Sequence, residues 1–95
     1  MVILTTMLVA AEGKADAIEK EFQILTPKVL KDPGAIAYIV HRAVDNPNKF
    51  MVYEQYESQE AFQAHSKTEH FRAWGQATRG MFAGRGEITF YNKVA

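Results

Sequence analysis

Apolar and polar positions along the chain change period several times, and each change marks an element. Residues 2–10 (VILTTMLVA) are apolar and β-branched, the composition of a strand. Glu12-Gly13 breaks the run. From Lys14 to Lys31 the apolar positions Ile18, Phe22, Leu25 and Val29 fall four, three and four apart, a single helical stripe. Pro27 interrupts that stripe, where it is expected to kink the helix or start a new turn. Asp32-Pro33-Gly34 ends it. Residues 35–42 (AIAYIVHR) and 49–57 (KFMVYEQYE) read as strands joined by the turn residues of DNPN, hence a hairpin over 35–57. Ser58 is placed to cap a helix running to about Lys67, and Thr68 to cap another from Glu69. Phe71, Trp74, Thr78 and Met81 form the stripe of that second segment. Gly80, Gly84 and Gly86 lead into a last strand, 87–92 (EITFYN).

The order β-α-β-β-α-β, with its second helix broken, is the ferredoxin-like α+β pattern: an antiparallel sheet with helices on one face. A sheet covered on one side should alternate apolar and polar residues. These strands do not. Val2, Leu4 and Leu8 stand opposite Ile3, Met7 and Val9. Ile36, Tyr38 and Val40 oppose Ala37 and Ile39, and Phe50, Val52 and Tyr56 oppose Met51 and Tyr53. Two helices cover one face only, and a bare apolar second face is a surface that monomers avoid. The expectation is a homodimer joined sheet to sheet.

Length and composition narrow the classes. Ninety-five residues make one domain, 1–95. At 47% hydrophobic and 23% charged residues, with zero formal net charge, the chain is an ordinary globular one. No basic footprint for nucleic acid or an acidic membrane is present. No apolar run approaches the length that spans a bilayer. The first strand lacks the basic flank of a signal peptide. The absence of cysteine rules out disulfides and thiolate chemistry, and it suits a reducing cytoplasm.

The chemistry-bearing residues gather in YEQYESQEAFQAHSKTEHF, residues 53–71. His65 and His70 are five apart, about 140° around a continuous helix, whereas a helical two-histidine metal site takes a separation of four. No metal is expected. Ser58 and Ser66 lack the surroundings of a nucleophile, and Gly84-Arg85-Gly86 lacks the strand-to-helix setting of a phosphate loop. Acid–base chemistry in an aromatic pocket remains. His65 follows Phe62 by three and so borders the apolar stripe, where a histidine can take a proton from an acidic hydroxyl near neutral pH. The plainer alternative is a half-buried histidine bonded to backbone. Glu54, beside Val52 and Tyr56 on one strand face, needs a partner. It either orients His65 or pairs with Arg42 across the hairpin.

Taken together, Y-E-x-Y-x-S-x-E-A-F-x-A-H followed by T-x-H-F resembles the antibiotic biosynthesis monooxygenase family of small dimeric α+β-barrel proteins. The A-E-G-K helix start, the V-L-K-D-P-G-A turn and the final strand fit in order over essentially the whole chain. The resemblance implies a sheet-to-sheet dimer and a pocket between sheet and helices for a small cyclic or dicarbonyl compound. It also implies oxidation without flavin, haem or metal, the deprotonated substrate itself reducing dioxygen. His65 would then be the base, Glu54 or Tyr38 would orient it or the substrate, and Phe62, His70, Phe71 and Trp74 would contact the substrate. Haem-degrading relatives use a first-strand asparagine, a helix tryptophan and an iron-binding histidine. Here the strand has no asparagine, His65 takes the tryptophan position, and Gly75 falls near the histidine position. Trp74 is out of place, so haem degradation does not fit. Isomerases of a phosphorylated linear dione share E-x-Y-x-x-x-x-A-x-x-x-H-x-x-T-x-H-[FY], matched by Glu54 to Phe71. Their phosphate would call on Arg72, Arg79 or Arg85. A non-catalytic small-molecule-binding dimer is the third reading.

Overall fold

The computed structural model describes all residues, 1–95. Seven elements follow in order: β1 (Val2–Val9), α1 (Ala15–Val29), β2 (Ala35–Arg42), β3 (Lys49–Tyr56), α2 (Gln59–His65), α3 (Glu69–Ala77) and β4 (Glu87–Tyr91). The sheet is antiparallel in the order β2-β3-β1-β4, and the fold is the ferredoxin-like α+β arrangement. β1 and β3 are central, pairing Leu4 with Glu54 and Thr6 with Val52.

The core lies between this sheet and α1. Ile18, Phe22, Leu25 and Val29, the stripe read from the sequence, are fully buried with Tyr38, Phe50 and Val52. Their burial follows from spacing alone, since positions four, three and four apart share one side of a helix. Pro27 does not break α1, which continues to Val29. Near the end of a helix, the proline forfeits only one backbone bond and its neighbours carry the turn. The Leu30 amide still donates to Thr26 O.

Ser58 and Thr68 cap as expected: Ser58 Oγ accepts from the Ala61 amide at 3.1 Å and Thr68 Oγ1 from the Phe71 amide at 3.2 Å. Between them, residues 66–68 separate two short helices instead of continuing one. Gly34 sets the entry to β2. It sits at φ +82°, and a Cβ there would lie 2.6 Å from the Ala61 Cβ, so only glycine lets the turn pass under α2. Just beyond it the β2–β3 register slips between Ala35 and Ala37. This bulge turns Ile36 outward, away from the Tyr38 and Val40 face to which strict alternation assigned it.

The two sheet faces differ. Helices cover Leu4, Tyr38, Phe50, Val52, Glu54 and Tyr56. On the other face no element of the chain lies over Val9, Ile39 and Tyr91, which are 43%, 50% and 51% exposed. No helix is long and apolar enough to cross a membrane.

Candidate functional site

Under the α2–α3 pair the covered face does not fill completely. A cavity of about 250 Å³ remains, walled by Leu4, Thr6 and Leu8 of β1, Tyr38 of β2, Val52 and Glu54 of β3, and Ile88 of β4. Phe22 closes it on the α1 side, and Phe62, His65, Ser66, Phe71 and Trp74 form its roof. Of the residues singled out in the sequence, Tyr38, Glu54, Phe62, His65, Phe71 and Trp74 meet here.

His70 does not. Its Nε2 lies 2.8 Å from Asp32 Oδ2, at the turn after α1, and it takes no part in the cavity wall. The break at 66–68 is the cause: His65 ends α2 and His70 opens α3, so the two rings answer to different helix axes. The expectation that His70 contacts substrate is therefore corrected to a tie between α3 and the α1–β2 turn. No three His, Asp or Glu side chains converge as metal ligands.

The open question over Glu54 is resolved by register. Across the hairpin Arg42 faces Phe50, while Glu54 faces Tyr38. Arg42 instead reaches Asp16 and Glu19 of α1, at 3.0 and 3.2 Å. Glu54, 6% exposed, points inward. Its Oε1 accepts from Tyr56 Oη at 2.7 Å and lies 3.9 Å from His65 Nε2, and Thr6 Oγ1 approaches its Oε2 at 3.5 Å. Tyr56 and Thr6 were not singled out in the sequence as site residues. Strand parity carried the signal for Tyr56, because residues 54 and 56 necessarily share a face.

Burial dominates the electrostatics. Desolvation raises the Glu54 pKa above the ordinary carboxylate value, against the lowering effect of its bonds from Tyr56 and Thr6. Desolvation also lowers the His65 pKa, opposed by the Asp32 charge and assisted by His70. Each group is drawn toward its uncharged form. A carboxyl that is itself pushed toward neutrality pulls weakly on the imidazole, although it stands close. His65 is thus an unprotonated imidazole at neutral pH, able to accept a proton. Tyr38, 5% exposed, has its phenol pKa raised chiefly by burial and next by Glu54, so its hydroxyl stays protonated.

The rings pack closely about His65: Phe71 at 4.8 Å between centroids, Tyr56 at 5.5 Å and Tyr38 at 5.7 Å. Phe71 in turn stacks on Trp74 at 5.8 Å. A larger hollow of about 480 Å³ between α1 and β2 is open and lined in part by Glu19 and Arg42, charges that already neutralise one another. His41 also lines it, exposed and with its Nδ1 3.2 Å from Met51 O, but most of the wall is polar, so the smaller and more apolar cavity is the better candidate.

Fold and cavity together define a class: a small α+β protein holding a buried imidazole–carboxyl pair beneath a divided helix. The chain belongs to the antibiotic biosynthesis monooxygenase family, whose model matches residues 1–77. Among solved structures, one from Nitrosomonas europaea, provisionally described as an antibiotic biosynthesis monooxygenase, superposes with a TM-score of 0.94 at 19% identity over 100% of both chains. One from Caulobacter crescentus with the same provisional description gives 0.90 at 29% identity, covering 99% of this chain and 90% of that one. A Pseudomonas aeruginosa protein gives 0.91 at 24% identity, over 99% and 94%. At the lower identities the likeness is one of fold. No curated protein sequence matches significantly.

Proposed function

We propose that this protein is a small-molecule monooxygenase whose substrate, a quinol-like or enolisable compound, is deprotonated by His65 in the cavity. The carrying observation is one largely apolar cavity with the imidazole of His65 and the carboxyl of Glu54 together in its wall. Deprotonation makes an enolate or phenolate, and a dry pocket leaves that anion reactive by withholding water. In this reading the substrate supplies the electrons. Its carbanionic carbon takes up dioxygen as a hydroperoxide, which loses water to leave a carbonyl. One oxygen atom ends in product and the other in water, with no flavin, haem or metal required. Glu54, held by Tyr56, orients the ring that accepts the proton.

The same base would serve isomerisation of an enolisable dicarbonyl. A phosphorylated one is disfavoured, since no lysine or arginine lines the cavity and a carboxyl does. Arg72, Arg79 and Arg85 lie outside the lining. Oxygen uptake with a panel of quinols and enolisable phosphates separates the readings. Uptake that disappears in His65→Ala supports the oxygenase, product without uptake the isomerase, and saturable binding without product a binding module.

The open sheet face supports a second part of this reading, a homodimer. Ile3, Met7, Val9, Ile39, Met51, Tyr53 and Tyr91 share it, and a second copy is the occupant whose apolar pattern matches it. Sedimentation showing a stable monomer at micromolar concentration would overturn the dimer.

A further inference from the structure

Four side chains on the open face of the sheet stand in one row across all four strands. His41 of β2 faces Met51 of β3, Met51 faces Met7 of β1, and Met7 faces Glu87 of β4. Strand parity puts all four on the side away from the helices, because the next row, Val40, Val52, Thr6 and Ile88, takes the helix side. Residues directly opposite on one face have Cβ atoms about 4.5–5.5 Å apart. The row lies at the hairpin end of the sheet, where Met7, His41 and Met51 line one hollow of about 400 Å³.

Two thioethers and an imidazole make a soft, uncharged donor set. A methionine side chain turns about three bonds, so its sulfur swings easily toward a shared point. The imidazole is already oriented: His41 Nδ1 lies 3.2 Å from Met51 O. A carbonyl only accepts, so Nδ1 carries the ring proton and Nε2 of the neutral ring keeps its lone pair. Tying one ring nitrogen to a backbone carbonyl is how proteins aim a metal-binding histidine. Thioether ligands select copper(I), whereas magnesium, calcium and manganese take oxygen donors. The charges suit a monovalent ion, since Glu87 closes the row and Asp45 stands in the hollow. Arg42 and Lys49 line it too, but Asp16 and Glu19 already engage the guanidinium and Lys49 is exposed.

We propose that His41, Met51 and Met7 form a binding site for a soft monovalent metal ion, copper(I), on the sheet face opposite the cavity. His41 Nε2 and the two methionine Sδ atoms are the ligands, and the ion is held without a change of oxidation state. Histidine spacing along a helix does not reveal such a site, because its ligands come from three strands. The hollow opens at the hairpin beside the exposed Asp45 and Lys49, so an ion enters from the rim of the face. No residue of the cavity takes part, and the site stands or falls independently of oxygen uptake.

The chain carries its own controls, with four methionines and three histidines of which the row uses two and one. Silver(I), a redox-inert stand-in for copper(I), is titrated into the intact protein while the methionine methyl groups are followed by ¹³C NMR. The Met7 and Met51 signals should move together and saturate at one equivalent per chain, while Met1 and Met81 stay fixed. Copper(I) affinity is then measured without oxygen, in competition with a chromophoric chelator. Met51→Leu and Met7→Leu keep the side-chain volume and lose the sulfur. Each of them, and His41→Ala, should weaken binding by at least about tenfold, the least that losing even an outer-shell partner costs. Circular dichroism should stay unchanged, and Met81→Leu should bind as wild type does. All four methyl signals moving alike, full affinity in His41→Ala, or no binding of either ion at micromolar concentration would overturn the proposal.

Discussion

The two faces of the sheet are made from the same strands and nearly the same kinds of residue, yet they end differently. On β3, Phe50, Val52, Glu54 and Tyr56 turn toward the helices and are buried; Met51, Tyr53 and Gln55 turn away and stay partly open. The inward set includes a carboxyl that apolar packing would normally reject, held by the Tyr56 and Thr6 hydroxyls with His65 3.9 Å away. The outward set, which continues to the exposed Lys49, has no internal cover. A face closed by its own helices can keep a carboxyl dry and a cavity empty. A face that a second copy would close, as proposed, needs only matching apolar shape. In that reading chemistry belongs to the first and assembly to the second.

The sharpest way to break this division is at His65. Its replacement by Ala should cost about 10²–10⁴-fold in turnover with the oligomeric state unchanged, read by oxygen consumption beside sedimentation. On the opposite face, Ile39→Asp puts a charge in the middle of the proposed contact. It should convert dimer to monomer at micromolar concentration, followed by sedimentation, while the monomer keeps its folded circular dichroism. If the variant stays dimeric, the assembly uses another surface. Glu54→Gln keeps the shape and removes the carboxyl, and because that group pulls only weakly on the imidazole it should lower kcat/KM for oxygen consumption far less than the loss of His65 does.

Tyr56→Phe should leave the fold intact but weaken it by about 1–3 kcal/mol, since Glu54 loses its shortest bond in a buried setting. Urea unfolding measures that. The smallest effect is in pH dependence. His65 is lowered in the folded state, so the unfolded chain binds its proton more readily. Its neutral burial therefore favours folding fully above the ordinary histidine value near 6.5 and is lost as pH falls through that value toward the folded one. Glu54 is raised, and its contribution is present below the carboxylate value and lost as pH rises through the folded one. The acid limb of kcat/KM should accordingly fall below pH 6.5, and a limb at or above 6.5 would contradict the burial of His65.

Much of the frame was legible in the sequence because it depends on period and caps. Ile18, Phe22, Leu25 and Val29 declared α1, and Ser58 and Thr68 declared the split helix. The two apolar faces showed directly in strand alternation. Convergence was harder to read. That Glu54 turns to His65 and not to Arg42 depends on the hairpin register, which sets Tyr38 opposite Glu54 and Phe50 opposite Arg42. His70 meets Asp32 across 38 positions, a pairing that no local pattern announces. Tyr56 looked like core and is core. Its second duty, donating to Glu54, appears only once the side chains have depth. The cavity itself is a remainder, the space that Phe62, Phe71 and Trp74 do not fill, and remainders are not written at any one residue.

The break at 66–68 has a consequence for motion. α2 has seven residues and α3 nine, each shorter than a helix that persists by itself in water. α1 has fifteen, with its whole stripe buried. The roof helices therefore depend on packing against the sheet and α1 more than α1 depends on them, which makes local opening above His65 the expected route into the cavity. Amides of α2 and α3 should exchange with solvent well before those of β1 and β3. A bound occupant should slow the roof alone, making it a door whose latch is the guest.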